Sequence, residues 1–577
     1  MDDRILRVNM TELTTSVEPV PAAWAGYGGR ALTSTIVAAE VPATCHALGP
    51  KNKLVLAPGL LTGTPAANSG RLSVGAKSPL TGGIKESNAG GSSAQALARL
   101  RIKALIIEGQ PKQDAWYSVH VNKDGITIQE EKELVGSGNF ATVAAVEQRL
   151  GKKTAIITVG PAGEMKMLIA NISVKDPDSK LRSSGRGGLG AVMGSKKIKF
   201  ISIDAEGAPA LTIADPEKFK AAAKVFSNAL MTHPVSGQAL PNYGTDVLVN
   251  ILNEAGGLPT KNFSKGQYAA HDNISGETLR DTIIARGGKP KHGCHAGCII
   301  QCSQVYNDKD GKYRTSGFEY ETIWALGANC CIENLDDIAE CDHIMDDIGV
   351  DSIETPVMFA VAMEGKLLHW GDGKEVARCL RDEIGKGTPL GRLLGMGTGN
   401  VGKALGVTRV PVVKNQAMPA YDPRAVKGIS ITYATSTMGA DHTAGYSVAT
   451  NILKVGGFID PLKKEGQVEL SRNLQIATAA IDSTGMCLFI AFPALDIPEC
   501  LPAVVDMLNA RFGLALTTDD VGGLGKYVLK TEHQFNLDAG LTNKDDRLPE
   551  FFETEPVAPH NAVWDFKPEE IDAFWNF

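Results

Sequence analysis

Short apolar and β-branched runs that end at glycine or aspartate recur along the chain up to about residue 205. Two segments with the helical spacing of apolar positions, SSAQALARLR and FATVAAVEQRLG, interrupt these runs. The runs predict buried strands; the clearest four are KLVLAPG, KALIIEG, KTAIITVG and IKFISID. We therefore expect this part of the chain to be rich in β-sheet.

The pattern changes near Asp215, where DPEKFKAAAKVFSNALM begins a helix with an Asp-Pro start signal. From there onward most patterned segments have the helical period. We place boundaries near residues 210 and 415, the second within VTRVPVVKNQAMPAYDPRA. The predicted fold class is α+β multidomain: a β-rich domain over 1–210, then two mainly α-helical domains over 211–415 and 416–577.

One short pattern, D-x-x-G-x-[D/C], occurs twice, each time after an apolar helical run. It covers Asp346 to Ser352 as DDIGVDS and Asp482 to Leu488 as DSTGMCL. The apolar positions before the first copy fall on one helical face: Leu335, Ile338, Cys341, Met345 and Ile348. We expect both copies to stand at equivalent helix ends.

Charge and hydropathy narrow the class of protein. The formal net charge is −7, so no basic surface favours nucleic acid or an anionic membrane. The start, MDDRILRVNM, lacks the features of a signal peptide, and no apolar run is long enough to span a bilayer. We expect a cytoplasmic protein, in which disulfides are rare and clustered cysteines favour metal binding.

Three cysteines stand close together in KHGCHAGCIIQCSQVY, namely Cys294, Cys298 and Cys302. Thiolates bind soft metals and iron–sulfur clusters, and a four-iron cluster needs a fourth thiolate, for which Cys487 in the second D-x-x-G copy is an attractive candidate. Structural zinc is an alternative, because His292 and His295 are adjacent. Packing along a helix face is a third alternative, and the spacing leaves all three open.

Two glycine- and arginine-containing loops occur in the strand-rich region. They are LTGTPAANSGRLSVGAKSPLTGG, which carries Arg71, and SSGRGGLGAVMGSKKIK, which carries Arg186. Glycines allow a ligand to approach the backbone, whose N–H groups can bind phosphate. Neither loop matches a Walker loop or a dinucleotide fingerprint. Each alone is typical of a turn between strands, whereas the two together favour a phosphorylated cofactor laid across a sheet.

Taken together, these strings resemble the tungsten-containing aldehyde ferredoxin oxidoreductases. The resemblance runs nearly end to end and also includes FEYETIWALGANC, YDPRAVKGISITYATSTMGADH, DDRLPEFF and EPVAPHNAVWDF. It implies oxidation of aldehydes to carboxylic acids at tungsten, or molybdenum, held by two molybdopterins. It also implies a [4Fe-4S] cluster that passes electrons to ferredoxin or a partner iron–sulfur subunit, and an N-terminal pair of β-sheets forming a saddle under the cofactor.

The same resemblance implies roles for individual residues. Magnesium bridging the two pterin phosphates is implied at the backbone carbonyls of Asn88 and Ser183. Glu321 and His442 resemble an acid–base pair near the metal, with Glu319 as an alternative to Glu321. The implied cluster ligands are Cys294, Cys298, Cys302 and Cys487. The implied pterin contacts are Arg71, Arg182, Asp346, Asp351 and Asp482; a carboxylate can accept two N–H bonds from a pterin edge.

The sequence departs from the family pattern at one place and leaves other readings open. The family spacing is usually C-x2-C-x3-C, whereas this chain has C-x3-C-x3-C. Glu340 and His343 form an E-x-x-H pair, which binds iron on a dimer axis in some relatives, although a solvated helix face is favoured here. The alternatives are a catalytic subunit of a larger complex, for example an aromatic thioester reductase, or a zinc-stabilised binding protein. A homo-oligomer remains open.

Overall fold

Two six-stranded sheets form the N-terminal part of the protein, whose computed structural model describes residues 3–577. The strands of the first sheet are β1 Arg4–Asn9, β2 Thr14–Pro19, β3 Leu54–Pro58, β4 Leu72–Lys77, β5 Ile84–Ala89 and β6 Ile102–Glu108. Those of the second are β7 Tyr117–Asn122, β8 Gly125–Glu130, β9 Ala155–Thr158, β10 Ile172–Lys175, β11 Leu181–Ser184 and β12 Ile198–Ile203. All four strands predicted from the sequence are present.

The two sheets repeat one topology. Their strand orders are β2-β1-β6-β3-β4-β5 and β8-β7-β12-β9-β10-β11. In each sheet one neighbouring pair, β1 with β6 and β7 with β12, is parallel, and the other pairs are antiparallel. The edge strands β5 and β11 lie against each other, and apolar residues of both sheets share one core. The N-terminal part therefore consists of two sheets of the same topology that are joined along one edge.

Five helices connect these strands: α1 Gly29–Glu40, α2 Ser93–Arg99, α3 Asn139–Leu150, α4 Pro161–Glu164 and α5 Leu189–Ser195. The sequence predicted α2 and α3. Helix α1 follows the second strand of its sheet and α3 follows the second strand of the other sheet, so these two helices occupy equivalent places. Likewise α2 and α5 each precede the last strand of their sheets.

The remainder of the described chain is mainly helical, as predicted. Its first long helix is capped by Asp215, whose carboxylate accepts the Lys218 N–H at 3.1 Å. The helices are α6 Pro216–Thr232, α7 Leu240–Tyr243, α8 Leu248–Glu254, α9 Gly276–Ala285, α10 Tyr320–Leu326, α11 Leu335–Ile348, α12 Glu354–Glu364, α13 Gly373–Arg378, α14 Pro389–Leu394, α15 Thr398–Leu405, α16 Lys427–Thr435, α17 Val448–Asn451, α18 Gln467–Thr484, α19 Ala491–Asp496, α20 Cys500–Phe512, α21 Thr518–Asp538, α22 Phe551–Thr554 and α23 Pro568–Asp572.

Two small sheets lie among these helices and were not predicted. One has three antiparallel strands, β13 Lys289–His292, β14 Ser303–Asn307 and β15 Tyr313–Ser316. The other is the hairpin of β16 Val412–Val413 and β17 Gln416–Ala417. The first sheet matters for function, because the chain between β13 and β14 carries the three clustered cysteines.

The two D-x-x-G copies stand at equivalent helix ends, as the sequence predicted. Gly349 caps α11 with φ 76° and Gly485 caps α18 with φ 81°, a left-handed conformation that favours glycine. A Cβ on Gly59, just after β3, would lie 2.0 Å from the Gly485 nitrogen, and a Cβ on Gly349 would lie 2.9 Å from the Gly160 nitrogen near the end of β9. Since α18 packs on α1 and α11 packs on α3, each motif meets the corresponding part of one sheet.

A helix that spans a bilayer must be both long and apolar. Within residues 3–577, no single helix combines the length and apolar composition needed for crossing a membrane. The bent pair Leu488–Asp496 and Cys500–Phe512, at 119° to each other, meets both requirements only when its helices are taken together. The second of these helices packs against α6.

Candidate active site

One cavity of about 430 Å³ lies where the two sheets meet the helical part of the chain. Strands β5 and β11 contribute Asn88 and Ser183, α10 contributes Glu321, and the ends of α11 and α18 contribute Asp346 and Asp482. All the site residues named from the sequence line this cavity except Cys298. Segments far apart in the chain are thus brought to a single site.

The three local cysteines lie on the loop between β13 and β14, so the helix-face alternative is wrong. Cys298 donates a hydrogen bond that lowers the pKa of the Cys294 thiol well below its usual value. Burial raises the pKa of Cys302 well above its usual value, and the charges of Glu319, Cys487 and Cys294 add to this. The four thiols are therefore close enough to influence one another electrostatically.

The remote thiol enters the cavity directly after α18. Burial raises the pKa of Cys487 to about 11, with Arg71 acting in the opposite direction. His295 was considered as a zinc ligand, and its Nδ1 lies 3.2 Å from the Cys294 sulfur. The other histidine, His292, lies instead 2.8 Å from Asp178 and 2.7 Å from an Arg182 nitrogen.

The two motif aspartates differ in their surroundings. Arg30 on α1 donates to Asp482 at 3.3 Å, and burial raises the pKa of Asp482 to about 6 against the effect of this arginine. Burial and the neighbouring Asp342 raise the pKa of Asp346 well above its usual value. Asn139 donates to the Asp346 backbone carbonyl at 2.8 Å, but no donor in the described chain reaches its carboxylate. Asp346 is thus open toward the cavity.

The two arginines named from the sequence are buried beside the joined strand edges. Arg71 donates from Nε to the Asn88 side chain and from Nη2 to the Asn88 carbonyl at 3.2 Å. Arg182 donates to Ser303 Oγ at 2.7 Å and to Asp176 at 3.1 Å. The adjacency of β5 and β11 therefore brings Asn88 and Ser183 to the same seam.

Asp351 has a structural role that the sequence did not indicate. Its carboxylate accepts the Glu354 N–H at 2.8 Å at the start of α12. Arg186 donates to it at 3.4 Å and also donates to the carbonyls of Ala440 and Ala417 at 2.6 and 2.5 Å. Asp351 and Arg186 line the cavity, but the chain itself occupies much of their hydrogen-bonding capacity.

Glu321 and His442 form the pair expected from the resemblance. Glu321 Oε1 lies 3.3 Å from His442 Nε2, and its Oε2 accepts the Ala420 N–H at 3.1 Å. Burial raises the pKa of Glu321 to about 8 and lowers the pKa of His442 to about 4. Both side chains are therefore mainly neutral at pH 7. Glu319 faces Thr245, whose hydroxyl donates to it at 2.8 Å, so Glu321 is the carboxyl beside His442.

Aromatic rings continue the cavity away from this pair. The hydroxyls of Tyr421 and Tyr446 are 3.0 Å apart, and the Tyr421 ring centroid lies 5.9 Å from that of His442. Tyr446 meets Phe492 edge-to-face at 6.2 Å. The wall beyond is apolar and includes Val235, Leu240, Val247, Leu453, Phe489 and Leu495.

Four charged residues of the site were missed from the sequence. Lys85 on β5 donates to Asp441 at 3.1 Å, and although burial opposes it, Lys85 and Arg186 lower the pKa of Asp441 below its usual value. Glu86 is fully enclosed, and burial raises its pKa to about 8. Arg30 is the fourth. A single charged residue within a strand or helix pattern does not indicate that it lines a site. Asp441 could have been found, because it directly precedes His442.

Glu340 and His343 on α11 each contact a different part of the protein. Glu340 accepts from Arg381 at 2.8 Å. The His343 ring stacks on Phe140 with centroids 4.6 Å apart. These contacts fit a surface-facing part of α11 better than an iron site.

The cavity has the donor set that a bound pterin and cluster would require. Four buried polar atoms on residues that line it, Glu86 Oε1, Asn88 Nδ2, Glu321 Oε1 and His442 Nδ1, have no hydrogen-bond partner in the described chain. An unpaired buried polar group costs about 1–3 kcal/mol, so these atoms favour a polar occupant. Together with the open carboxylate of Asp346 and the neighbouring thiols, they fit the implied groups.

Two family models together match most of the chain. Residues 5–205 match the family described as "Aldehyde ferredoxin oxidoreductase, N-terminal domain" and residues 221–572 match "Aldehyde ferredoxin oxidoreductase, domains 2 & 3". The chain belongs to the aldehyde ferredoxin oxidoreductase family, and it is an enzyme of the oxidoreductase class. The predicted fold class is also confirmed, because two mixed sheets precede the helical part.

Individual relatives carry the name tungsten-containing aldehyde ferredoxin oxidoreductase. The proteins from Pyrococcus furiosus and Thermococcus kodakarensis are each 36% identical to this chain, over 96% of it and 92% of their own length. A more distant relative, 25% identical over 92% of the chain and 86% of its own length, is the aliphatic sulfonate oxidoreductase, WOR-like subunit, of P. furiosus. The family's tungsten relatives thus cover nearly the whole chain.

A solved structure shares the fold at low sequence identity. The active site complex BamBC of benzoyl coenzyme A reductase, in complex with 1,5-dienoyl-CoA, superposes with a TM-score of 0.81 at 17% identity, covering 99% of this chain and 93% of the other. This likeness concerns the fold alone.

Proposed function

We propose that this enzyme oxidises an aldehyde to its carboxylic acid at a tungsten or molybdenum bis-molybdopterin centre. In this reaction the aldehyde and water give the acid, two protons and two electrons. A [4Fe-4S] cluster would be held by Cys294, Cys298, Cys302 and Cys487, and it would supply one-electron transfer to ferredoxin or a partner iron–sulfur subunit. The observation that carries the proposal is that the Glu321–His442 pair and three of these thiols line one cavity.

Residues from both D-x-x-G motifs and both sheets would hold the proposed cofactor. Asp346 and Asp482 would accept N–H groups from the two pterins, and Arg71 and Arg182, which line the same cavity, would contact the pterins. The carbonyls of Asn88 and Ser183 would bind magnesium, since Mg²⁺ prefers oxygen ligands. When bound, the tungsten–pterin group supplies a Lewis acid and a two-electron acceptor.

The pair beside the aromatic wall handles protons. If the Glu321 hydroxyl donates to His442 Nε2, the imidazole hydrogen is on Nδ1, which has no protein partner in the described chain. In this protonated form of the pair, Nδ1–H can donate to the carbonyl oxygen of a bound aldehyde. In the ionised form, Glu321 no longer fixes the hydrogen on Nδ1 and acts as the base that accepts a proton from the attacking water; a pKa of about 8 suits a base near neutral pH.

The walls of the cavity favour an uncharged, apolar aldehyde. Tyr421, Tyr446 and Phe492 enclose the space next to His442, and aliphatic side chains follow. Ferredoxin or the partner iron–sulfur subunit would dock on the outer surface of the thiol loop, where Gln301 is exposed and Ile299 is 37% exposed. A cytoplasmic location and assembly into a homo-oligomer or a larger complex are compatible with this proposal.

The test is elemental analysis of the anaerobically purified protein combined with aldehyde-dependent reduction of a viologen dye. We expect about four iron atoms per chain, tungsten or molybdenum, and dye reduction that requires an aldehyde. Zinc without iron, tungsten or molybdenum would contradict the proposal and favour a zinc-stabilised binding protein. Metal-loaded protein that acts only on a thioester would instead support the larger-complex alternative.

A further inference from the structure

We infer that Asn68 is a positioning residue that fixes the remote thiol of Cys487 relative to the local thiols and donates a hydrogen bond to the sulfur of Cys298. This inference rests on the proposed cluster. It goes beyond that proposal, because it states that the neutral side chain of Asn68, which is not a cluster ligand, controls the geometry and the reduction potential of the cluster.

Asn68 contacts both chain segments that carry the thiols. Its backbone N–H donates to the Gly297 carbonyl at 3.0 Å, and its carbonyl accepts the Cys487 N–H at 2.8 Å. Its Nδ2 lies 3.6 Å from Cys298 Sγ, within reach of an N–H···S hydrogen bond, and its Oδ1 accepts the Ile299 N–H at 3.0 Å. A single residue therefore spans the gap between the local loop and the remote cysteine.

The side chain and the backbone of Asn68 each limit what can replace it. It is buried, with 1% of its surface exposed, and its φ of 56° is in the left-handed region that Asn and Asp tolerate best among non-glycine residues. The amide offers a donor and an acceptor at once; Asp keeps the acceptor for Ile299 and loses the donor to Cys298, and the shorter Ser lacks the amide. This difference makes the donor separable from the fold.

The residues that follow Asn68 continue the same contact. A Cβ on Gly70 would lie 2.4 Å from His295 Cδ2, so the imidazole beside Cys294 packs on a position that must be glycine. The Arg71 N–H then donates to the Gly485 carbonyl at 3.0 Å, in the second D-x-x-G copy. The segment from Asn68 to Arg71 thus lies along the thiol loop and continues to the pterin side of the cavity.

Asn68 also contacts the middle of the thiol loop. Gly297, which has φ 81°, lies within the C-x3-C stretch between Cys294 and Cys298, and its carbonyl accepts from the Asn68 N–H. The backbone of Asn68 therefore holds the first part of the loop, while its amide contacts the cysteine that follows.

The electrostatic consequence concerns the reduced cluster. Reduction adds an electron to a cluster bound by four thiolates, and N–H donors to the sulfurs stabilise the added negative charge. Removing such a donor makes reduction less favourable. The midpoint potential should therefore become more negative when the Asn68 amide is lost, even where all four thiols remain.

The experiment compares Asn68→Asp and Asn68→Ser with the parent holoprotein, each purified anaerobically. Iron per chain and the melting temperature report assembly and folding, and a redox titration followed by electron paramagnetic resonance reports the cluster potential. The matched control is Asn52→Asp, another fully buried asparagine, whose side chain bonds only to the Ala47, Lys53 and Lys77 backbone. None of these readouts depends on aldehyde turnover.

We expect both Asn68 variants to have a more negative midpoint potential than the parent, with the larger shift for Asp because it adds a charge. Asn52→Asp should leave the potential unchanged. Loss of iron from both Asn68 variants, with a melting temperature no lower than that of Asn52→Asp, would also support the inference. Full iron content with the parent potential in both Asn68 variants would overturn it. So would loss of iron that accompanies the same unfolding seen in the control. A parent protein without iron would instead overturn the proposed function.

Discussion

Burial determines the protonation of the Glu321–His442 pair. At neutral pH a pKa of about 8 makes the Glu321 carboxyl mainly neutral, unlike a solvated carboxylate, and a pKa of about 4 keeps the His442 imidazole neutral. The shifts follow from enclosure within a cavity wall that is aromatic on one side. The same enclosure makes the pair a plausible donor and acceptor for a neutral substrate.

The first prediction concerns the pH dependence of this pair. Because the ionised Glu321 is the proposed base, kcat/KM for an apolar aldehyde should rise with pH and level off above about 8. Glu321→Gln removes the titrating group, so we expect a loss of roughly 10²–10⁴-fold in rate and no remaining rise around that pH. Steady-state kinetics across this range provides the measurement.

Glu319→Gln is the matched control for this experiment, because Glu319 is also buried but faces Thr245. It should keep the rise in kcat/KM near pH 8. If the rise in kcat/KM persists in Glu321→Gln and disappears in Glu319→Gln, the base is Glu319 and the assignment to Glu321 is contradicted.

Glycine caps at the helix ends allow α11 and α18 to approach the two sheets. Gly485 combines a left-handed φ of 81° with close contact, since a Cβ would meet Thr62 Oγ1 at 2.2 Å. Gly406 caps α15 with φ 67° but has no heavy atom within 4 Å of such a Cβ. The two positions therefore share backbone strain and differ in packing.

This difference gives the second prediction. Gly406→Ala should lower the free energy of unfolding by about 1–2 kcal/mol, the cost of a left-handed alanine. Gly485→Ala should cost clearly more, because Thr62 and the backbone of Gly59 must shift. Thermal or denaturant unfolding of both variants measures the difference. Equal losses would show that contact with the sheet does not determine the choice of glycine at Gly485.

The secondary-structure elements show what the sequence could and could not predict. Strands β3, β6, β9 and β12 and helix α6 were predicted because a continuous apolar run or an Asp-Pro start marks each of them. Strands β13 to β15 were missed, because KPKH and its partners are short and polar and obtain their pairing from tertiary contacts. The repeated topology of the two sheets was also missed; it is visible in the strand order, whereas only the D-x-x-G copies revealed a repeat in the sequence.

The candidate site was predictable residue by residue only through the resemblance to a family. Spacing alone suggested a metal at Cys294, Cys298 and Cys302 but could not distinguish a loop from a helix. Lys85 and Glu86 were not predicted, because their importance comes from burial within a strand edge that the sequence does not reveal. The division of the chain at residues 210 and 415 stays a prediction.

At the scale of the complete fold, three separate regions converge on one cavity. The sheets provide the seam at β5 and β11, the middle of the chain provides two of the local thiols and Glu321, and the C-terminal part provides His442, Asp482 and Cys487. An enzyme built in this way cannot assemble its proposed cofactor site from any one part alone. Cys487 is the most direct probe of this convergence, because it is the thiol most distant in sequence from the others.

The decisive measurement is therefore ferredoxin-linked or viologen-linked aldehyde oxidation by Cys487→Ala, together with its pterin content and cluster spectrum, compared with Cys500→Ala. Cys500 is fully buried in an apolar cluster next to the cavity and does not itself line the cavity. The account predicts that Cys487→Ala keeps its pterins, loses the parent cluster signal and no longer reduces the acceptor, whereas Cys500→Ala behaves as the parent. Full turnover and an unchanged cluster signal in Cys487→Ala would contradict it.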